Sequence, residues 1–302
     1  MKLIESSVGL INIENPFMKI EKVGRTCYKS TSALTEETAK KFFNSLASRN
    51  HTAMFEHVTF VFEVIESVYH ALQGHKYFNY SVEELADGTE RFLVSANLRA
   101  IVESGETLLM YVLGSEIDPD LIYDGNYQCL LGSQYYCRLV DIDNIPNIQE
   151  HAYKKHKYLS FHFICDRGVT HEIVRHRPAS YAQESTRYCN YSKDKFGGEI
   201  TFIEPAHADD EWNVDSKFAF IKALDYAEEM YFEMLKAGRT PQEARAVLPN
   251  ALKTEIIMTA NCEEFDHFFD LRSRGTTGAP HPDMKRVADM ALLLYKANTK
   301  QF

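Results

Sequence analysis

The chain has 302 residues, of which 45% are hydrophobic and 25% are charged, and it carries a formal net charge of -10. This composition is typical of a globular protein with a sizeable core, and the acidic balance disfavours a nucleic-acid-binding protein, which usually has a broad basic face. The longest apolar stretches have the length of strands, well short of the about 18 residues that a membrane span needs.

The N-terminus and the cysteines give weak signals about location. The first residues include no long apolar segment, so we predict no signal peptide and a cytoplasmic protein. No CxxC pair occurs among the six cysteines, which are Cys27, Cys129, Cys137, Cys165, Cys189 and Cys262. We therefore expect reduced thiols and no metal site. No repeat or low-complexity linker divides the chain, which predicts a single domain over residues 1–302.

Local patterns predict the elements of the first two thirds. Thr35, followed by two glutamates, predicts a helix start, and the helix would run to about Arg49. Alternating apolar residues predict strands over 57–65 and 159–165, and a third strand over 199–204. The long stretch between the first two strands is mixed, and its pattern predicts no clear element.

The sequence patterns predict that the C-terminal third is helical. Helices are predicted over 215–236, 261–272 and 282–297, and a capping box at 240–243 predicts the start of another helix. In the first of these, apolar residues recur at spacings of three and four: Phe218, Ile221, Leu224, Tyr231 and Leu235. The order of strands and helices indicates an α+β fold.

Residues 175–187 are the densest group of chemically active side chains. Arg175, His176, Arg177 and Arg187 fall within this segment, with hydroxyl and amide groups between them. Pro178 stops any arriving helix, so the first three should lie where a helix leads into a loop. Such a cluster can bind phosphates through charge-assisted hydrogen bonds. On composition alone, however, a short Arg-rich stretch is more often a solvated face or an ion-pair network.

The spacing in this segment resembles the signature of flavin-dependent thymidylate synthases: Arg-His-Arg, seven residues, Ser, one residue and Arg. The segment 51–57, with His51, Phe55, Glu56 and His57, resembles a second block of that family. The segment 243–249, followed by Asn261 and the run 268–272, resembles its C-terminal block. Clear resemblance covers residues 20–65 and 158–295, and the stretch at about 66–157 looks like a family-variable insertion.

The resemblance implies a fold of mostly antiparallel sheet packed with helices and a helical C-terminal third. It implies reductive methylation of dUMP to dTMP. Methylenetetrahydrofolate would donate the carbon, and FAD, reduced by NADPH, would be the hydride source. No protein nucleophile is expected. Members of the family are homotetramers with active sites shared between subunits.

The resemblance also assigns residues to FAD: His51, Ala53, Arg175, His176, Arg177, Gln183, Asn261 and His267. At the position of Ala53 the family often has Thr or Ser, whose hydroxyl reaches a flavin phosphate from another subunit. The absence of that hydrogen bond would cost about 1 kcal/mol. His267 replaces an Asn of some relatives. His51 would lie near the flavin or folate, although a histidine in a loop is also a common structural hydrogen-bonding group.

A second set is assigned to dUMP: Glu172, Arg175, Gln183, Glu184, Ser185, Thr186, Arg187, Arg245 and Arg272. Arg272 would be the catalytic residue, stabilising negative charge on the uracil as C5 becomes nucleophilic. Read alone, it is an ordinary cation at a helix C-terminus. Ser185 is predicted as a ligand because no adjacent base would activate it. Cys189 is predicted as a packing residue.

Three other functions remain open on the sequence. A non-catalytic nucleotide-binding protein would keep the phosphate-binding arginines but would need neither Gln183 nor Arg272. A nucleic-acid-binding module is disfavoured by the acidic charge. A flavoenzyme that methylates another pyrimidine would differ only in the shape of the uracil pocket, which the sequence does not show.

Overall fold

The computed structural model describes residues 1–28, 33–122, 136–187, 190–192, 198–206 and 212–302. The α-helices in these residues are α1 Pro16–Tyr28, α2 Glu36–Ser48, α3 Glu66–Leu72, α4 Leu98–Ser104, α5 Thr107–Glu116, α6 Glu150–His156, α7 Arg167–Ile173, α8 Val214–Lys236, α9 Pro241–Ala244, α10 Cys262–Arg272 and α11 Pro282–Ala297. The strands are β1 Lys2–Ile4, β2 Ser7–Leu10, β3 Thr59–Val64, β4 Phe78–Glu84, β5 Glu90–Asn97, β6 Cys137–Leu139, β7 Tyr158–Asp166, β8 Ser180–Gln183, β9 Thr201–Ile203 and β10 Lys253–Asn261.

The strands form two antiparallel four-stranded sheets and a short parallel pair. One sheet has the order β2-β7-β10-β8 and the other β4-β5-β3-β6, while β1 pairs with β9. Residues 66–122 and 136–157, inside the predicted insertion, supply β4, β5 and β6 of the second sheet. The predicted α+β class with a mostly antiparallel sheet is confirmed.

The sheet β2-β7-β10-β8 is covered on both faces, and it carries the site described below. Successive residues of β10 point to opposite faces. Ile256 and Met258 pack with α7, α10 and α11 on one side, which we call the α10 face. Ile257 packs with Ala182 and with Val23 of α1 on the other side, which we call the α1 face.

Most predicted elements are present. Thr35 caps α2 and accepts the N–H of Thr38 at 3.2 Å, and Asn261 caps α10. The strand β10 lies in the C-terminal third and was not predicted. In α8, Leu224 and Tyr231 are buried as the spacing indicates, but Phe218 is 66% exposed. Cys129 and Cys189 lie outside the described residues.

None of the helices within the described ranges is long and apolar enough to cross a membrane.

Candidate active site

Arg272 lies at the end of α10, and two side chains from the region of α7 hold its guanidinium. Its Nε donates a hydrogen bond to Nε2 of His176 at 2.9 Å, and its Nη1 lies 2.5 Å from the carboxylate of Glu172. Within the described part of the chain, the remaining nitrogen Nη2 has no hydrogen-bond partner. The group is therefore fixed in direction, with one donor nitrogen available to a ligand.

His176 acts as an acceptor in this cluster, which requires a neutral ring. The residue is 6% exposed, and its ring lies edge-on to Phe268 with centroids 4.9 Å apart. Burial and then the positive charge of Arg272 lower the pKa of His176 to about 4. At neutral pH the ring is uncharged, so Nε2 can accept the Arg272 hydrogen bond while the proton is on Nδ1.

Gln183 and Glu184 follow one another in the chain but serve opposite faces of the sheet. The amide of Gln183 donates to the hydroxyl of Thr170 on α7 at 2.9 Å, on the same α10 face as Arg272. The carboxylate of Glu184 is buried, 3.0 Å from Nζ of Lys253. A direct contact between the Glu184 side chain and the substrate stays a prediction.

The 185–187 loop brings two guanidinium groups close to hydroxyls. Nη1 of Arg245 donates to Oγ1 of Thr186 at 2.9 Å, and Nε of Arg187 donates to the side chain of Gln242 at 3.1 Å. Ser185 accepts the main-chain N–H of Arg187 at 3.3 Å. Both arginines are exposed. Guanidinium and hydroxyl donors at one place are the groups that bind a phosphate.

Arg175 and Arg177 lie in the turn that follows α7, on either side of the buried His176. Both are exposed, and neither forms an ion pair with any residue in the described ranges. Their charges are therefore available to an anionic ligand near the Arg272 cluster.

Asn261 and His267 differ in whether their side chains are exposed to a ligand. Asn261 is buried, with Oδ1 accepting the N–H of Glu264 at 2.9 Å and Nδ2 donating to the carbonyl of Lys155 at 3.1 Å. Its amide thus caps α10 and ties the helix to α6. His267 is exposed, and its ring centroid is 6.1 Å from that of His176.

His51 and Ala53 lie apart from the Arg272 cluster. Both are exposed at the start of a short 3₁₀ helix, Thr52–His57, whose Met54 packs on the α1 face. They line a cavity of about 360 Å³ together with Cys27 and Arg99. The single chain therefore brings one group of predicted flavin residues to the α10 face and leaves the other group on the α1 side.

Comparison with known proteins gives the family of the chain. The family model described as "Thymidylate synthase complementing protein" matches residues 9–103 and 142–298. The chain belongs to this family.

Curated relatives are flavin-dependent thymidylate synthases. That of Pyrococcus abyssi is 38% identical over 108 residues, covering 36% of this chain and 43% of the relative. That of Geobacter sulfurreducens is 32% identical over 136 residues, covering 43% and 54%. The chain spans about half the length of these curated relatives. A solved structure of a UMP/dUMP methylase, PolB from Streptomyces cacaoi, covers 98% of this chain and 93% of its own at 14% identity, with a TM-score of 0.43.

The family match leaves a gap between its two segments. Residues 104–141 are unmatched, and they lie inside the predicted insertion at about 66–157. The bounds and the role of the insertion stay a prediction.

The structure adds Arg167 to the candidates of this family member. Its Nη1 is buried and has no hydrogen-bond partner among the described residues. It begins α7, one turn before Thr170, which contacts Gln183. A cation in the first turn of a helix opposes the helix dipole, so its place at the start of α7 is the signal that the sequence offered for this residue. Across the described ranges, no cluster of three His, Cys, Asp or Glu side chains could hold a metal ion.

Proposed function

We propose that this protein is a flavin-dependent thymidylate synthase that converts dUMP to dTMP, with methylenetetrahydrofolate as carbon donor, FAD as cofactor and NADPH as reductant. The observation that carries the proposal is the guanidinium of Arg272, which Glu172 and His176 hold in place with Nη2 available. Membership of the family and the names of the curated relatives support the same function.

The 185–187 loop and Arg245 would bind the phosphate of dUMP. Arg187 and Arg245 supply the charge, and the hydroxyls of Ser185 and Thr186 supply neutral hydrogen bonds beside it. Arg175 adds a further exposed cation from the turn after α7. A dianionic phosphate would gain several charge-assisted hydrogen bonds here, which fix the nucleotide relative to Arg272.

Arg272 would act on the uracil ring. As C5 becomes nucleophilic, negative charge develops on the ring, and a fixed guanidinium can stabilise that charge without having to reorganise. Glu172 and His176 provide the fixation. Because His176 is neutral, it does not add a competing positive charge to the cluster.

The exposed donors on the α10 face fit a flavin dinucleotide. Arg175 and Arg177 have no ion-pair partner in the described ranges, so they can bind the negatively charged diphosphate. Once bound and reduced by NADPH, the flavin would supply the hydride that completes the methyl group. Ala53 has no hydroxyl for a phosphate, so we expect a loss of affinity of about 1 kcal/mol relative to a serine.

The assembly that we propose is a homotetramer with shared active sites. The predicted flavin residues His51 and Ala53 are exposed beside Met54, which packs on the α1 face, whereas His176 and Gln183 lie with the α10 face. A site that uses both groups is therefore more simply built from two subunits. A single domain over 1–302 and a cytoplasmic location stay predictions.

The test of this function is tritium release from dUMP labelled at C5. We expect tritium release that requires FAD, NADPH and methylenetetrahydrofolate together, because bonding of the methylene carbon to C5 displaces the hydrogen on C5. Reactions lacking one component at a time are the controls. Protein that binds dUMP but releases no tritium at saturating FAD would contradict the proposal and leave a nucleotide-binding function.

A further inference from the structure

A buried chain of charges lies next to the 185–187 loop. Lys253, the first residue of β10, places Nζ 3.0 Å from the carboxylate of Glu184 and also contacts the carboxylate of Glu255. The other carboxylate oxygen of Glu255 is 3.0 Å from Nε2 of His162 on β7. The side chains of Glu184 and Lys253 are only 1% and 8% exposed, so their ion pair is almost completely removed from water.

The central groups of this chain are ionised at neutral pH. Burial alone would lower the pKa of Lys253, but the carboxylates of Glu184 and Glu255 raise it overall. Burial likewise opposes ionisation of Glu255, yet His162 and Lys253 lower its pKa to about 2. Removing one member would leave an opposite charge buried without its partner, which is strongly unfavourable.

Main-chain hydrogen bonds also hold the start of the loop. Strand β8 ends at Gln183, which is the last residue of β8 in register with β10. After it, the N–H of Glu184 donates to the carbonyl of Glu255 at 2.8 Å, and the N–H of Ser185 donates to the carbonyl of Cys27 at 3.2 Å. The side chain of Glu184 is thus anchored one residue before the groups that would bind the phosphate.

We propose that Lys253 is a positioning residue for the nucleotide site, holding Glu184 so that Ser185, Thr186 and Arg187 face dUMP. The inference rests on the proposed function, because it concerns the same loop. It also gives Glu184 a different role from the one that the family resemblance implies: Glu184 pairs with Lys253 on the α1 face, which fixes the start of the loop, and it does not contact the substrate.

Two other roles make different predictions for the same variants. If Glu184 contacted dUMP directly, removing both charged groups would weaken binding at least as much as removing Glu184 alone. If the pair served only overall stability, its loss would lower the melting temperature without changing the affinity for dUMP. Positioning predicts weaker dUMP binding in the single variants and recovery in the double variant.

The experiment measures dUMP affinity by isothermal titration calorimetry in K253M, E184M and E184M/K253M, and FAD affinity by absorbance titration. We expect K253M to raise the Kd for dUMP about tenfold, since one charge of a buried pair is left alone. Its KM for dUMP should rise similarly, with kcat at saturating dUMP and the Kd for FAD nearly unchanged. E184M/K253M should return the dUMP Kd to within about threefold of the native value, because it removes the Glu184 carboxylate together with its cation and leaves Glu255 hydrogen-bonded to His162.

The matched control is K40M. Lys40 also lies between two carboxylates, those of Asp118 at 2.7 Å and Asp120 at 3.0 Å, but its side chain is 40% exposed. We expect no change in dUMP affinity. If K253M does not fold, K253R replaces it. The dUMP Kd of K253R should remain near the native value, while E184M should still bind dUMP more weakly than the native protein. A dUMP Kd that stays unchanged in E184M, or in K253M where that variant folds, would overturn the inference, as would the absence of recovery in the double variant. Native protein that does not bind dUMP would contradict the proposed function itself.

Discussion

Arg272 is the residue on which the proposed chemistry depends, through its guanidinium group. In R272K the shorter cation cannot contact both His176 and Glu172 and also keep a donor for the uracil. We expect kcat to fall by about 10²–10³, the range seen when one preorganised donor is removed, while the dUMP Kd changes much less. Steady-state assays of dTMP formation together with calorimetry would separate the two effects.

R274K is the matched control for this variant. Arg274 is two residues away, is 45% exposed and pairs with Asp270 at 2.5 Å. A conservative change at this exposed pair should leave kcat unaltered. Equal losses of kcat in R272K and R274K would show that Arg272 has no special role in the reaction.

Among single residues, the sequence could predict those that belong to a contiguous motif. Arg175, His176 and Arg187 stand at fixed spacings, and the structure places them near the Arg272 cluster or in the 185–187 loop. Lys253 could not be predicted, because it meets Glu184 only through the register of β10 with β8, across 69 residues of chain. Pairing between distant strands leaves no local spacing to recognise.

Among the elements, the missed strand β10 shows why a search for period-two patterns fails where a strand is buried on both faces. Its residues are buried on both faces, so the run KTEIIMTAN lacks the alternation of apolar and polar residues that marked 57–65. Helices with capping residues were easier to predict, since Asn261 and Thr240 accept N–H groups within their own first turn.

His156 joins three elements through a neutral ring. On α6, its ring nitrogens lie 2.9 Å from the hydroxyl of Ser81 on β4 and 2.7 Å from that of Ser95 on β5. Burial, and next the charge of Lys155, lower its pKa to about 3. As pH falls below 6.5, the unfolded chain gains a proton on this histidine and the folded chain does not. The free energy of unfolding should therefore decrease.

We expect this decrease to amount to about 2 kcal/mol between pH 6.5 and pH 5 for His156. Urea unfolding at several pH values would measure it. His57 and His176, whose pKa values burial also lowers, add to the total. H156Q should therefore weaken the pH dependence without abolishing it. An H156Q curve parallel to the native one would contradict the assignment.

At the scale of the whole molecule, periodicity predicts a stripe of apolar residues but not what covers it. The stripe of α8 was visible in the sequence, and Leu224 and Tyr231 are buried in the core while Leu235 packs against it partly buried. Phe218 and Ile221 remain 66% and 41% exposed. The same limit applies to the active site: the sequence named residues for FAD, and the fold places them on two sides of one sheet.

This separation predicts that two inactive variants can complement each other. R272A keeps an intact His51, and H51A keeps an intact Arg272. If each site takes one group from each of two subunits, random mixing by co-expression should restore about one quarter of the sites. The measurement is tritium release by hetero-oligomers isolated through two different affinity tags, compared with each variant alone. Confirmed hetero-oligomers that remain inactive, although each variant alone binds dUMP, would show that every site is built within one chain.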